Sequence, residues 1–236
     1  MLYLIGLGFD EKDINLKALE VAKNCDCYCE LYTSYWQGDI KNLENLIGKE
    51  IRQLKRQDLE ENLKSFLERS RSQDVALFVA GDPLAATTHI DIIIEARKKR
   101  IKTKVIHNVS IFSAIGETGL QIYKFGKTAT IPLDGKIENV KKTIKENTKF
   151  GLHTLLLLDL DSEVNVYMNV FHALKMLLNE KLVKKDDKVV VARFGENTEI
   201  YYKQVSELMR KKILPPIALI IPGKLHFREK EFLEML

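Results

Sequence analysis

The sequence predicts an α/β protein of two α/β domains, with a mainly parallel first sheet and a mixed second sheet. Three observations predict it. Through the first half, apolar runs of strand type alternate with amphipathic helical stretches across short connections, the pattern of a parallel sheet. Near residues 127–133 this alternation breaks and then restarts. Beyond the break, "KVVVARFG" and "EIYYKQ" flank the turn-rich "GENT", as an antiparallel pair would. The domains are therefore placed at residues 1–128 and 129–236.

The chain opens with "LYLIGLG", a buried strand that ends in glycines. Asp13 can cap the helix "INLKALEVAKN", and "CDCYCELYTS" reads as the second strand. "DIKNLENLIGK" is a short helix and "EIRQL" a short strand. "DLEENLKSFLERSRS" predicts one amphipathic helix with Leu59, Leu63, Phe66 and Leu67 on a single face. The strand "DVALFVAG", a helix through "THIDIIIEARKKR", the strand "TKVIHN" and the helix "SIFSAIGET", closed by Gly119, complete the first half. After "YKFGKTATIPLDG", read as a connection, come the helix "KIENVKKTIKENTKF" and the strand "LHTLLLLDL". A long helix is expected from about Ser162 to Lys181. Past the antiparallel pair follow the helix "VSELMRKK", the strand "IALIIPG" and a last helix, "REKEFLEML".

At 236 residues, 45% hydrophobic and 30% charged, the composition is that of a soluble globular chain. No run of about 18 apolar residues could span a membrane. The start, "MLYLIGLGFDEKD", has no basic region or small-residue cleavage site, so a cytoplasmic location is expected. A net charge of +4 is a mild excess, spread among nearly as many acids, and reads first as solvated helix faces. A basic surface that meets an acidic or RNA-bound partner is the other reading. Cys25, Cys27 and Cys29 alternate along one strand, where free cysteine packs as a small hydrophobe. Three thiols without a spaced fourth ligand do not make a zinc site, and unpaired thiols favour a reducing compartment.

In an open α/β sheet, ligands bind beyond the carboxyl ends of the strands. Four such ends carry unusual residues: "GLGFD", "ELYTS", "GDPLAATTH" and "HNVSIFSA". Gly6 and Gly8 allow close backbone approach, or simply a tight turn. Position 11 is Glu, so the dinucleotide fingerprint fails, and no phosphate-cradling G-x-x-x-x-G-K-[ST] occurs. Asp82, held extended between Gly81 and Pro83, either caps the next helix or accepts from a ligand, with Ala85 and Ala86 leaving space beside it. Ser110 stands where a helix begins, as an N-cap whose neighbouring amides also suit a carboxylate. The five histidines show no metal-binding spacing, and no G-x-S-x-G nucleophile motif occurs. Any chemistry is expected to need neither metal nor covalent nucleophile, and no catalytic residue is assigned.

"YLIGLG", "YTS", "GDPLAATTH", "IYKFGK", "GLHTLLLLD" and "IPGKLH" resemble the diphthine synthases, a branch of the tetrapyrrole-methylase-like S-adenosylmethionine methyltransferases. The resemblance runs from the first residues to about His226. It implies two α/β domains with a cofactor cleft between them, in a homodimer. It also implies S-adenosyl-L-methionine as cofactor, S-adenosyl-L-homocysteine as product, and no need of metal, nucleic acid or membrane. The implied partner is translation elongation factor 2. The implied acceptor is the α-amine of a 3-amino-3-carboxypropyl group on its modified histidine, trimethylated to give diphthine. Position by position, cofactor contacts carry over to Phe9, Asp82, Ala85, Ser110, Ile111, Leu158, Phe194 and Ile217. Two of these depart from the family pattern, which often has His in place of Ile217 and a small residue in place of Phe194. The segment around 132–136 is also shorter than in many relatives. Acceptor contacts are sought at Tyr32, His89, Tyr123 and Lys124, with Lys124 a candidate for the acceptor carboxylate. Two other readings stay open: a corrin or porphyrin precursor methylase of the same fold, and a non-catalytic cofactor-binding module docking on the translation machinery.

Overall fold

The computed structural model describes all of residues 1–236. They divide into two compact units, Met1–Ile111 and Phe112–Leu236. The division falls earlier than the break at 127–133 in the sequence pattern. Residues 124–127 run beside His153 of the second unit, His153 N donating to Lys124 O at 2.9 Å and Gly126 N to His153 O at 2.9 Å.

The first unit holds β1 (Leu2–Gly6), α1 (Leu16–Ala22), β2 (Asp26–Glu30), α2 (Ile40–Ile47), β3 (Ile51–Leu54), α3 (Arg56–Glu60), α4 (Leu63–Ser72), β4 (Val75–Val79), α5 (Ile90–Lys98) and β5 (Thr103–Ile106). A short α6 (Ile111–Ala114) spans the point of division. The strands form one parallel sheet in the order β3-β2-β4-β1-β5. Central β4 is buried on both faces, as its unbroken apolar run requires. Its residues, with Ala80 just beyond, feed two cores in alternation: Ala76, Phe78 and Ala80 pack towards α1 and α2, and Val75, Leu77 and Val79 towards α3, α4 and α5. Cys25, Cys27 and Cys29 all join the first core, while Tyr28 points to the second, the period of two expected of a strand.

Two local expectations are corrected. The helix expected from Asp58 to Ser72 is two helices, α3 and α4. Glu61 N and Asn62 N both turn back to Gln57 O, and Asn62 leaves helical geometry before the chain starts again. The cap of α1 is Asn15, whose side chain accepts from Ala18 N at 2.9 Å, not Asp13. Asp13 instead ends a short 3-10 turn and accepts from Phe9 N at 2.7 Å.

The second unit holds β6 (Ala129–Ile131), α7 (Glu138–Lys149), β7 (Thr154–Leu158), β8 (Leu160–Asp161), β9 (Val166–Tyr167), α8 (Val170–Asn179), β10 (Lys188–Arg193), β11 (Glu199–Gln204), α9 (Val205–Leu208), β12 (Ala218–Ile221) and α10 (Phe227–Leu233). Its sheet runs β11-β10-β12-β7-β6, parallel only between β6 and β7, so it is mixed as expected. Strand β6 lies in a stretch read as a connection. The long helix expected from Ser162 begins only at Val170, after the small hairpin β8-β9. Asp161 accepts from Glu163 N at 3.1 Å and Asn165 adopts φ +55°, so short polar side chains hold a turn where a helix would otherwise run. Asn169 then caps α8 through His172 N at 2.9 Å.

Burial pushes the Cys25 thiol up to about 11 and that of Cys29 to about 12. Neither is a thiolate near neutral pH, so neither is reactive in the folded protein. Thiol titration of native protein should therefore leave all three cysteines unlabelled, and denaturant should release all three. Rapid labelling of native protein would contradict this packing.

Candidate functional site

The carboxyl ends of the parallel strands share one edge of the first sheet. There β2 leads outward to β3, whereas β4 leads the other way, across β1, to β5. Connections that diverge from neighbouring strands leave a crevice beyond their ends, the usual ligand position in such sheets.

The edge is closed by backbone. Gly8 N donates to Gly81 O at 3.1 Å, and Gly81 N returns to Gly8 O at 2.8 Å. Both glycines have φ +70°, a left-handed conformation that other residues adopt at a cost. A Cβ on Gly81 would meet nothing nearer than 3.9 Å, so this residue is glycine for its backbone and the space beside it is open. Gly6 is glycine for a different reason: a Cβ there would sit 2.6 Å from Gly81 O and 2.8 Å from Asn108 Cβ.

Asp82 is buried directly after this clasp. Its Oδ1 accepts from Leu84 N at 3.0 Å, and its Oδ2 accepts from Asn108 N at 3.1 Å and pairs with His107 Nδ1 at 2.8 Å. A carboxylate offers about four lone-pair sites, so these three contacts leave room for one further donor. Asp82 therefore acts first on the protein, tying the end of β4 to the end of β5, and retains one acceptor site for a ligand. Asn108, which the sequence did not single out, completes the knot. Its Nδ2 donates to Gly6 O and to Asp13 O, both at 2.9 Å. Asp13 in turn holds Phe9 N. Phe9, Asp82, Ala85, Ser110 and Ile111 thus follow the ends of three adjacent strands, β4, β1 and β5. The open flank of Gly81, the small Ala85 and the spare acceptor of Asp82 fit an adenosylated amino acid.

Tyr32 and His89 belong to the same edge but are buried beneath it, 7% and 2% exposed. Glu30, fully buried at the end of β2, accepts from Tyr32 N and Thr33 N at 3.2 Å and from Thr33 Oγ1 at 2.6 Å. Arg56 lies over the Tyr32 ring, 5.1 Å from its centroid. These residues shape the edge from within.

In the second unit the register puts Leu158, Phe194 and Ile217 at one edge of the mixed sheet. Leu157 pairs with Ala218 and Ala192 with Ala218, so the ends of β7 and β10 lie beside the start of β12. Phe194 is buried, and Leu158 and Ile217 pack against the core while staying partly exposed.

Tyr123 and Lys124 part company. Tyr123 is 82% exposed, whereas the Lys124 ammonium is bound to Glu229 Oε2 and donates to Lys224 O at 2.8 Å. The lysine considered for an acceptor carboxylate already has one. Glu229, on α10, is the centre of this second unit's polar packing. Its Oε1 accepts from Gln121 N at 2.9 Å and from His153 Nε2 at 3.0 Å, and its Oε2 also accepts from His226 N at 2.6 Å. His153 Nδ1 accepts from Gly223 N at 2.9 Å, which leaves Nε2 as the protonated nitrogen. "IYKFGK", "GLHTLLLLD" and "IPGKLH" therefore meet at one buried carboxylate. Sequence reasoning missed Glu229 because "REKEFLEML" reads as a solvated helix, and its partners at 121, 124 and 153 are brought to it only by the fold.

No group of three or more His, Cys, Asp or Glu residues is placed to hold a metal ion, and no helix is long and apolar enough to cross a membrane.

The chain is similar in sequence and fold to known proteins. Residues 1–208 match the family described as Tetrapyrrole (Corrin/Porphyrin) Methylases. The whole chain is 42% identical to diphthine synthase of Methanocaldococcus jannaschii, covering 98% of that protein. It is 41% identical to diphthine synthase of Methanococcus aeolicus, with the same coverage. A crystal structure of diphthine synthase superposes with a TM-score of 0.92 at 37% identity, over all of this chain and 95% of that one.

Burial alone would raise the Glu229 pKa, but Lys124, the His226 and Gln121 amides and His153 outweigh it and hold it down at about 2. A depressed carboxylate stabilises the fold above its unfolded value of 4.5 and loses that contribution as pH falls towards about 2. Glu229→Gln should therefore be less stable than wild type by about 3 kcal/mol at neutral pH. Urea unfolding across pH should show the gap closing in acid; a gap independent of pH would contradict the assignment.

Proposed function

We propose, for a chain that belongs to the tetrapyrrole methylases and within them to the diphthine synthases, that it methylates the modified histidine of translation elongation factor 2. A diphthine synthase is an S-adenosylmethionine-dependent methyltransferase of diphthamide biosynthesis, and that is the chemistry of this chain. The finer reading is trimethylation of the α-amine of the 3-amino-3-carboxypropyl arm, giving diphthine. It takes elongation factor 2 as partner, a homodimer as working form and the cytoplasm as location. The observation that carries the site is the convergence of Phe9, Asp82, Ala85, Ser110 and Ile111 beyond three neighbouring strand ends.

S-adenosylmethionine supplies a methyl group already activated by its sulfonium. The residues of the protein have to bind, orient and exclude water. Asp82 offers its remaining lone pair to a hydroxyl or amine of the bound cofactor, and Gly81 and Ala85 leave room for it. Leu158, Phe194 and Ile217 are proposed as apolar cofactor contacts from the second unit. Tyr123, exposed in the "IYKFGK" segment, is the proposed acceptor contact there. Tyr32 and His89 are proposed to act on the acceptor indirectly, by shaping the edge.

No dedicated base is needed. An α-amine titrates near 7.7–8.0, so presenting its neutral form near pH 7 costs only about 1.4 kcal/mol. Correct orientation of two bound reactants contributes on the order of 7–11 kcal/mol. Positioning dominates, in keeping with an edge built from backbone clasps and buried hydrogen bonds. A corrin or porphyrin acceptor is disfavoured by the "IYKFGK" segment, and a purely binding role by the full-length likeness to diphthine synthases.

Mass spectrometry of elongation factor 2 after incubation with S-adenosylmethionine tests the substrate. Factor bearing the arm should gain three methyl groups and unmodified factor none; equal labelling of both would refute the assignment. Asp82→Ala removes a buried charged acceptor worth roughly 1.5–3 kcal/mol, so cofactor affinity should fall about tenfold to a hundredfold. Calorimetry on folded mutant protein measures it, and unchanged affinity would exclude Asp82 from the site.

A further inference from the structure

We propose that Glu30 and His89 are a positioning pair that shares one proton and thereby locks the loop after β4 against the loop after β2. The pair bridges the two strand ends whose connections diverge. Its consequence for cofactor binding rests on the reading that residues 82–85 touch the cofactor.

His89 Nδ1 lies 3.3 Å from Pro83 O, and a carbonyl can only accept, so Nδ1 carries hydrogen. Nε2 is buried, makes no hydrogen bond, and faces Glu30 Oε1 at 3.5 Å. Without a further proton, a nitrogen lone pair would confront a carboxylate out of water. A buried polar group left in that way is costly. One proton, on either atom, turns the repulsion into a hydrogen bond.

The surroundings place its loss near neutral pH. Burial pushes the Glu30 carboxyl up to about 7, against the Thr33 hydroxyl, the Thr33 and Tyr32 amides and Arg56. Burial also lowers the His89 pKa, with the Pro83 carbonyl opposing. The neighbours from the β2 loop are Tyr32 and Thr33. From α3 comes Arg56, with Asp58 and Glu60 acting on Tyr32. From β2 itself comes Cys29, whose thiol feels the Glu30 charge.

The loop that this proton fixes is strained. Gly81 has φ +70° and Ala86 has φ +58°, the second unfavourable for a residue with a Cβ. Thr87 Oγ1 and His89 Nδ1 both reach back to Pro83 O, at 2.5 and 3.3 Å, and close the loop on itself. Glu30 then anchors it to Tyr32 and Thr33. The "TTH" of "GDPLAATTH" and the "ELYT" of "ELYTS" thereby acquire a joint role: they hold Asp82 and Ala85 in place.

S-adenosylmethionine affinity of wild type and Glu30→Gln, measured by calorimetry from about pH 6 to about pH 9, tests the pair. A Gln amide donates to Nε2 at every pH. Above the midpoint of the pair, wild-type affinity should fall relative to the variant by up to about tenfold per pH unit, the slope of one linked proton. Taking the ratio cancels the titration of the cofactor's own amine. A constant ratio overturns the proposal, whereas no binding by wild type at any pH would instead remove the cofactor reading. Nitrogen NMR of the wild-type His89 ring decides without cofactor or variant. A shift that titrates near neutral pH supports the shared proton, and a flat one overturns it.

Discussion

The reciprocal pairing of Gly8 and Gly81 is the constraint on which the carboxyl edge of the first sheet depends. Two backbone hydrogen bonds of 2.8 and 3.1 Å draw the ends of β1 and β4 together beyond the regular sheet. The pairing demands left-handed backbone at both residues, and it brings Gly81 O so near Gly6 that no side chain fits there. With the strand ends fixed, Asp82 and Asn108 can reach from one strand end to the next. The chain forgoes side chains at three positions and gains an edge whose shape is set by main chain. Methyl transfer that relies on orientation needs such rigidity.

The two units solve the same problem with different means. The first joins its strand ends with glycines, one aspartate and one asparagine. The second gathers distant segments around Glu229, whose carboxylate accepts from residues 121, 124, 153 and 226. Asn147 repeats the device on a smaller scale, accepting from Lys127 N at 3.0 Å and donating to Lys127 O at 2.8 Å and Thr154 Oγ1 at 3.0 Å. Buried polar groups satisfied by several partners specify one arrangement, because every alternative leaves them unpaired.

What could be read from the sequence follows from the range of the forces involved. Strand and helix periodicities are local, so the parallel first sheet, the mixed second sheet and the shared face of Cys25, Cys27 and Cys29 were all legible. The position proposed for a ligand was chosen from the sequence because one strand end carries its glycine and carboxylate in one short stretch, Gly81–Asp82–Pro83. The turn at 161–165 was not: an apolar-periodic stretch looked helical, and short side chains bonding their own backbone prevailed. Glu229 and Lys124 lie 105 residues apart, and nothing local to either announces the pair. Lys124 consequently looked like a free cation for a substrate carboxylate. Glu30 and His89 were quoted within motifs, yet only the fold shows that they face each other.

A crystal structure with S-adenosylhomocysteine tests the central claim most directly, since the product reports the cofactor position without turnover. The account predicts it beside Gly81–Ala85 and Ser110–Ile111, with a hydroxyl or amine donating to Asp82 and the Gly8–Gly81 clasp unchanged. Product bound away from the carboxyl ends of β1, β4 and β5, or a clasp opened to admit it, would contradict the account.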